Sequence, residues 1–265
     1  MMELRFFCRV NEGGYHVVET PLPPGAESIT TPTRLLVPID RDAPRRQFLL
    51  PALAFRRFAD VRTEDALVRF ANGYGIPEGD LESFSFYTGE NPDGSLWMEP
   101  ALAPGQLLMW ASRLRAACIL AEAPDDLDAE ARRAAIEQAG EKAAHPERLA
   151  PKDLLALLVR DALSSCALAL IPRNEEVRTI RRQGAHTNPG KVRLDGFSLA
   201  LCPKDLLQAL WLQFALAVEA RLQYEKCNLP GCDNWFESGT DTSHSNKRYC
   251  SDACRSKAWR RRKGS

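Results

Sequence analysis

Cys227-Asn228-Leu229-Pro230-Gly231-Cys232, then Lys247-Arg248-Tyr249-Cys250-Ser251-Asp252-Ala253-Cys254, is the stretch on which the reading of this chain turns. Two close cysteine pairs are separated by seventeen residues. Paired thiols at this spacing can complete a tetrahedral Zn²⁺ site with four thiolates. The flanks fit that use. Asn228 to Gly231 are turn residues that let the backbone curl around an ion, and Trp235-Phe236 suits a covering strand. Gly239–Asn246 is polar and reads as a hairpin tip, with Lys247-Arg248-Tyr249 returning as a strand. Ser251 is an N-cap, which puts Cys254 in the first turn of a helix running to about Lys263. Residues 227–265 hold few large apolar side chains, and a segment that short needs a staple in place of a core. The alternatives are four reduced thiols without metal, or His244 replacing one ligand.

The basic residues cluster at the same end. The chain has 265 residues, 35 Lys/Arg and 35 Asp/Glu, a net charge of zero. Within 227–265, eight Lys/Arg stand against four acids, so this end is +4 and residues 1–226 are −4. Lys247, Arg248, Arg255, Lys257, Arg260, Arg261, Arg262 and Lys263 carry the charge. A cationic helix on a small metal-held scaffold can neutralise phosphates, and arginine can read guanine edges. Dimerisation through residues 1–226 would double the thin interface of one such module. A solvated tail that aids solubility is the competing reading. Trp259 either stacks on a base or packs against its own module.

These residues resemble the CGNR-type zinc fingers of bacterial transcription regulators. The shared features are the two cysteine pairs, Trp235-Phe236, the Tyr249-Cys250-Ser251 helix start and the final Arg/Lys-rich helix. The family reads Cys-Gly-Asn-Arg at the last ligand, where this chain has Cys254-Arg255-Ser256-Lys257, and the second pair is one residue shorter. The resemblance implies a divergent member: a treble-clef finger at 227–265 with one structural zinc, following an α-rich domain at 1–226 that leads into Cys227 through a Leu-rich helix. It implies a cytoplasmic DNA-binding regulator. A protein-interaction or RNA-binding module without a transcriptional role is the other class.

Working back along the chain, Pro203 opens a helix to about Lys226, with Leu206, Leu210, Trp211, Phe214 and Val218 on its apolar stripe. Cys166–Ile171 and Val192–Leu201 read as paired strands around the basic segment Arg173–Lys191, either an exposed hairpin or an extension of a nucleic-acid surface. Pro151 starts a helix to about Ser165, and Leu127–Ala144 reads as an exposed one. Leu107, Ala111, Leu114, Cys118 and Ala121 recur at helical steps. Gly89–Pro104 reads as a loop, Ala52–Ala59 as a helix, and Thr63 caps another helix through Tyr74. Leu4–Val10 and Tyr15–Thr20 flank Asn11-Glu12-Gly13-Gly14, a hairpin signal, and Pro21–Pro38 is proline-rich. The expected class is therefore α+β: a mostly helical N-terminal domain with short β-hairpins, plus the finger.

Several classes are disfavoured. With 45% apolar residues the chain can build a core, and no run of about 18 apolar residues could span a membrane. The start of the chain reads as neither signal nor transit peptide. A cytosolic setting follows, in which close cysteine pairs favour metal over disulfides. The isolated Cys8, Cys118, Cys166 and Cys202 read as small buried apolar groups. Gly184 to Lys191 mimics a phosphate loop but has five residues between the glycines and Val192 where Ser or Thr belongs. The four histidines are scattered, and a four-thiolate site has no open position, so no catalytic site is expected.

Overall fold

The computed structural model describes residues 6–20, 33–76, 85–90, 94, 96–122, 149–164, 166–172, 197–238 and 247–263. The helix read at Leu127–Ala144, the segment Arg173–Lys191, the tip Gly239–Asn246 and most of the proline-rich stretch after Thr20 lie outside them. The described residues form an α+β structure.

Strands β1 (Phe7–Asn11), β2 (Tyr15–Thr20), β3 (Thr33–Pro38) and β4 (Arg45–Leu49) make one long antiparallel ribbon with a corner in it. β2 pairs with β3 from Tyr15 opposite Pro38, and β1 pairs with β4 from Phe7 opposite Leu49. This corrects the hairpin expected between β1 and β2. Asn11–Gly14 does turn, with Asn11 Oδ1 accepting from Gly13 N at 2.8 Å. The turn bends both arms together instead of reversing one, because Ile39 N bonds to Gly14 O and Glu12 N to Pro44 O, each at 2.9 Å. The expected loop at Gly89–Pro104 is likewise corrected: β5 (Ser85–Glu90) and β6 (Leu96–Ala101) pair antiparallel. Just past β6, Leu102 bridges to Leu36 of β3.

The helices follow their local signals closely. α1 (Ala54–Ala59) is short, and α2 (Glu64–Tyr74) starts at Thr63, whose hydroxyl accepts from Ala66 N at 3.3 Å. α2 ends at Gly75, with φ +92 and Arg9 O only 2.6 Å from where a Cβ would stand, so only glycine fits. α3 (Pro104–Glu122) is the central helix, touching α1, α2, α4 (Pro151–Leu163) and α5 (Leu206–Glu219). Phe55, Phe58, Leu67, Leu114, Leu158 and Phe214 meet in the single large core around it. Between α4 and α5, β7 (Ala167–Pro172) and β8 (Phe197–Cys202) pair antiparallel, as the sequence predicts.

Two features aim the C-terminal segment. Arg115 of α3 donates to Ala59 O at 2.7 Å and to Val61 O at 2.6 Å, satisfying carbonyls at the end of α1 and fixing its direction. α5 does not reach Lys226. It stops at Glu219 because Arg221 turns left-handed, φ +50, with Arg221 N bonded to Val218 O and Leu222 N to Ala217 O at 3.1 and 3.0 Å. That is a Schellman closure, with arginine where glycine is usual. The chain then runs as β9 (Gln223–Lys226) straight into Cys227.

Candidate metal centre

The four C-terminal cysteines converge. One ligand atom from each of Cys227, Cys232, Cys250 and Cys254 lies within 4.8 Å of the others. Cys232 Sγ is 3.7 Å from both Cys250 Sγ and Cys254 Sγ, which are 3.5 Å apart. Tetrahedral Zn–S bonds of about 2.3 Å place sulfurs roughly 3.8 Å apart, so this donor set fits such an ion. Gly231, at φ +81, supplies the bend between the first two ligands. Cys232 N bonds back to Leu229 O at 2.9 Å and Cys250 N donates to Cys227 Sγ at 3.5 Å. These backbone contacts preset the loop.

Of the other two cysteines, Cys250 lies two residues before α6 (Asp252–Lys263) and Cys254 in its first turn. Ser251 caps it, its hydroxyl accepting from Cys254 N at 3.3 Å, and Ala258, one turn further, is buried on the sulfur cluster beside Leu229. The strand expected at Lys247–Tyr249 does not form. Arg248 is tied to the cluster through Asn228 N bonding to Arg248 O at 3.0 Å. β10 (Trp235–Ser238) pairs with β9 instead, Trp235 opposite Lys226, because β9 arrives alongside it directly from α5.

Crowded sulfurs titrate unequally. Burial pushes the Cys232 thiol up to about 12, helped by hydrogen bonds with its three neighbours. Burial also acts to raise Cys250, but the bond from Asn234 Nδ2 and those from the other thiols outweigh it and bring it down to about 7. Four thiolates this close need a cation between them to ionise together.

Asn234 is the functional residue the sequence did not single out. Its Nδ2 donates to Cys250 Sγ at 3.5 Å, and its backbone carbonyl accepts from Cys227 N at 2.9 Å. Its Oδ1 accepts from Arg57 Nη2 of α1, and Arg57 Nη1 reaches Tyr74 OH. A ligand sulfur is thus connected through two side chains to the main core. Trp235 Nε1 donates to Asp60 at 3.0 Å, Lys226 Nζ lies 3.6 Å from the same carboxylate, and the Arg56 guanidinium stacks 5.1 Å over the Trp235 ring. Position 234, two residues past Cys232, was the available hint. Arg57 gave none.

The eight basic residues are arranged around this cluster. Lys247, Arg248, Arg255, Lys257, Arg260, Arg261 and Arg262 are exposed, and Lys263 ends α6. Arg255 pairs with Asp252 of its own helix at 3.1 Å. Arg260 donates to Ser256 O, Arg261 to Pro230 O and Arg262 to Tyr249 OH. Lys247 lies 5.1 Å over the Phe236 ring. Trp259 is 54% exposed and is not covered by the cysteine cluster. His244 lies outside the described residues. No described helix is long and apolar enough to cross a membrane. Compared with family models, curated proteins and solved structures, the chain matches none.

Proposed function

We propose that this chain is a zinc-binding, DNA-binding transcription regulator, a divergent CGNR-type protein whose residues 227–265 form a treble-clef finger. Cys227, Cys232, Cys250 and Cys254 hold one structural Zn²⁺, which supplies a cross-link and, with four thiolates, no open coordination position for catalysis. Asn234 orients Cys250 toward it, and the helix start at Ser251 positions Cys254. The observation that carries the reading is α6 itself: a helix anchored by a ligand sulfur and Ala258 that leaves its arginines on the surface. Each cation of this array that neutralises a phosphate would release counterions from duplex DNA.

The test joins metal content to salt dependence. Protein purified without added zinc should carry about one equivalent, and Cys250→Ala should lose it. Duplex DNA affinity should fall with salt, and Arg260→Ala/Arg261→Ala should lower the log–log slope by roughly 0.9 for each lost phosphate contact. An unchanged slope and affinity in that variant would refute DNA binding by α6. Tighter binding to single-stranded RNA than to duplex DNA would favour the RNA-binding class.

A further inference from the structure

A cavity of about 510 Å³ opens between the end of α3, α5 and β9. It is separate from the sulfur cluster, and the DNA-binding reading does not use it. Its floor is apolar: Phe55, Phe214 and Ala217 are buried, with Leu222 at the edge. The rings of Phe214 and Tyr224 flank Phe55 edge to face at 5.9 and 5.7 Å. One wall is cationic. Arg56 is more than nine-tenths buried, and its guanidinium lies 5.5 Å over Phe55 and 5.2 Å over Tyr224.

Two donors in that wall are short of an acceptor. Among the described residues, neither Arg56 Nε nor Tyr224 OH has a hydrogen-bond partner, and both atoms are shielded from solvent. Burial, with Glu237 nearby, raises the Tyr224 hydroxyl further above its ordinary value, so it remains a donor. Buried donors without an acceptor destabilise the fold until one is supplied. Arg56 does have one anionic partner, Glu122 at the last position of α3, and that side chain is 52% exposed. A carboxylate half open to water can swing into solvent and be hydrated there, leaving the buried guanidinium to another anion.

We propose that this cavity binds a small organic acid with an aromatic or branched apolar body. Its carboxylate takes the place of Glu122 against Arg56 and gives Tyr224 OH an acceptor, while its apolar body lies on Phe55, Phe214 and Ala217. The volume suits such a molecule, since ligand pockets run from about 300 to 1,000 Å³. The polar group is charged because the wall offers a guanidinium and a hydroxyl, both donors. The other end is apolar because the buried floor is Phe55, Phe214 and Ala217, while the polar lining residues Arg221, Gln223 and Glu225 are exposed and Ser238 completes the lining.

Calorimetric titration of the full-length protein with 4-phenylbutyrate, and with 4-phenylbutyramide as the neutral counterpart, tests this. The acid should bind saturably and the amide at least about tenfold more weakly. Glu122→Gln keeps the side chain's size but removes the competing carboxylate and leaves buried Arg56 without that counter-charge, so it should tighten the acid by about tenfold and leave the amide unchanged. Ala217→Phe should abolish binding by filling the floor. Equal affinity for acid and amide, an acid affinity unchanged or weakened in Glu122→Gln, or no binding of the acid by either protein at millimolar concentration would each overturn the proposal. DNA affinity is a separate readout, so failure here leaves the DNA-binding reading untouched, and the reverse.

Discussion

Asn234 does the most with the fewest atoms. Its amide bonds Cys250 Sγ, its side-chain carbonyl takes Arg57, and its backbone carbonyl holds Cys227 N. Only the first two are lost in Asn234→Ala. Hydrogen bonds to a thiolate lower its basicity and fix its direction, and removing such outer contacts usually costs 10–100-fold in metal affinity. Asn234→Ala should therefore bind zinc about 10–100-fold more weakly in competition with a chelator, while still binding one ion. Arg57→Ala should give a smaller loss in the same direction, because Asn234 keeps its bond to sulfur. If Arg57→Ala weakened zinc more than Asn234→Ala, the order of this relay would be wrong. Neither residue stands out in the sequence. Arg57 and Asn234 lie 177 positions apart, and Asp60 and Trp235 175 apart, so no local pattern links them.

At the scale of elements, α6 owes its existence to the sulfur cluster. Twelve-residue helices are marginal alone in water, and among the described side chains of α6 only Ala258 is buried. Chelation should therefore melt α6 while α1 to α5 persist. Circular dichroism should lose about one short helix, tryptic cleavage at Arg255 to Arg262 should accelerate, and hydrogen-exchange protection of the α3 and α5 amides should stay unchanged. A helical signal indifferent to chelator would mean that α6 is held by something other than the cysteines. Legibility divides along the same line between local and distant causes. α2 was readable from Thr63 and Gly75, α3 from its apolar spacing and α5 from its apolar stripe, since caps and periodicity act within one element, although α5 starts at Leu206 on an Asp205 cap and not at Pro203. The cysteine tetrad was readable because its spacing is its geometry. The end of α5 was not, because Arg221 performs a turn that sequence reading assigns to glycine. The pairing of β1 with β4 was not either: Asn11–Gly14 announces a turn, and only Asp40 and Pro44 opposite decide that it bends a ribbon.

Over the whole molecule, stability should respond to alkali. Burial pushes the Cys8 and Cys118 thiols up to about 12 from an ordinary 9. Below pH 9 both stay protonated in either state and cost nothing. From pH 9 to 12 the unfolded chain releases protons that the folded chain keeps, so unfolding gains ground as pH rises. Urea midpoints should fall through this window, and Cys8→Ala/Cys118→Ala should flatten the fall. Parallel profiles for the two proteins would rule these thiols out as its source. The same burial should protect both thiols from alkylation at neutral pH until the chain unfolds.

The corner at Arg221 and the ladder it launches have a practical corollary. β9 is the pairing partner of β10, and its residues come before the first cysteine. Anyone transplanting the thiol cluster to a foreign carrier must carry Gln223–Lys226 along with it, or leave the backbone of Trp235–Ser238 as a naked edge seeking a neighbour. A fusion that begins at Cys227 would invite sticking between copies, whereas one that begins before Gln223 brings its own seal.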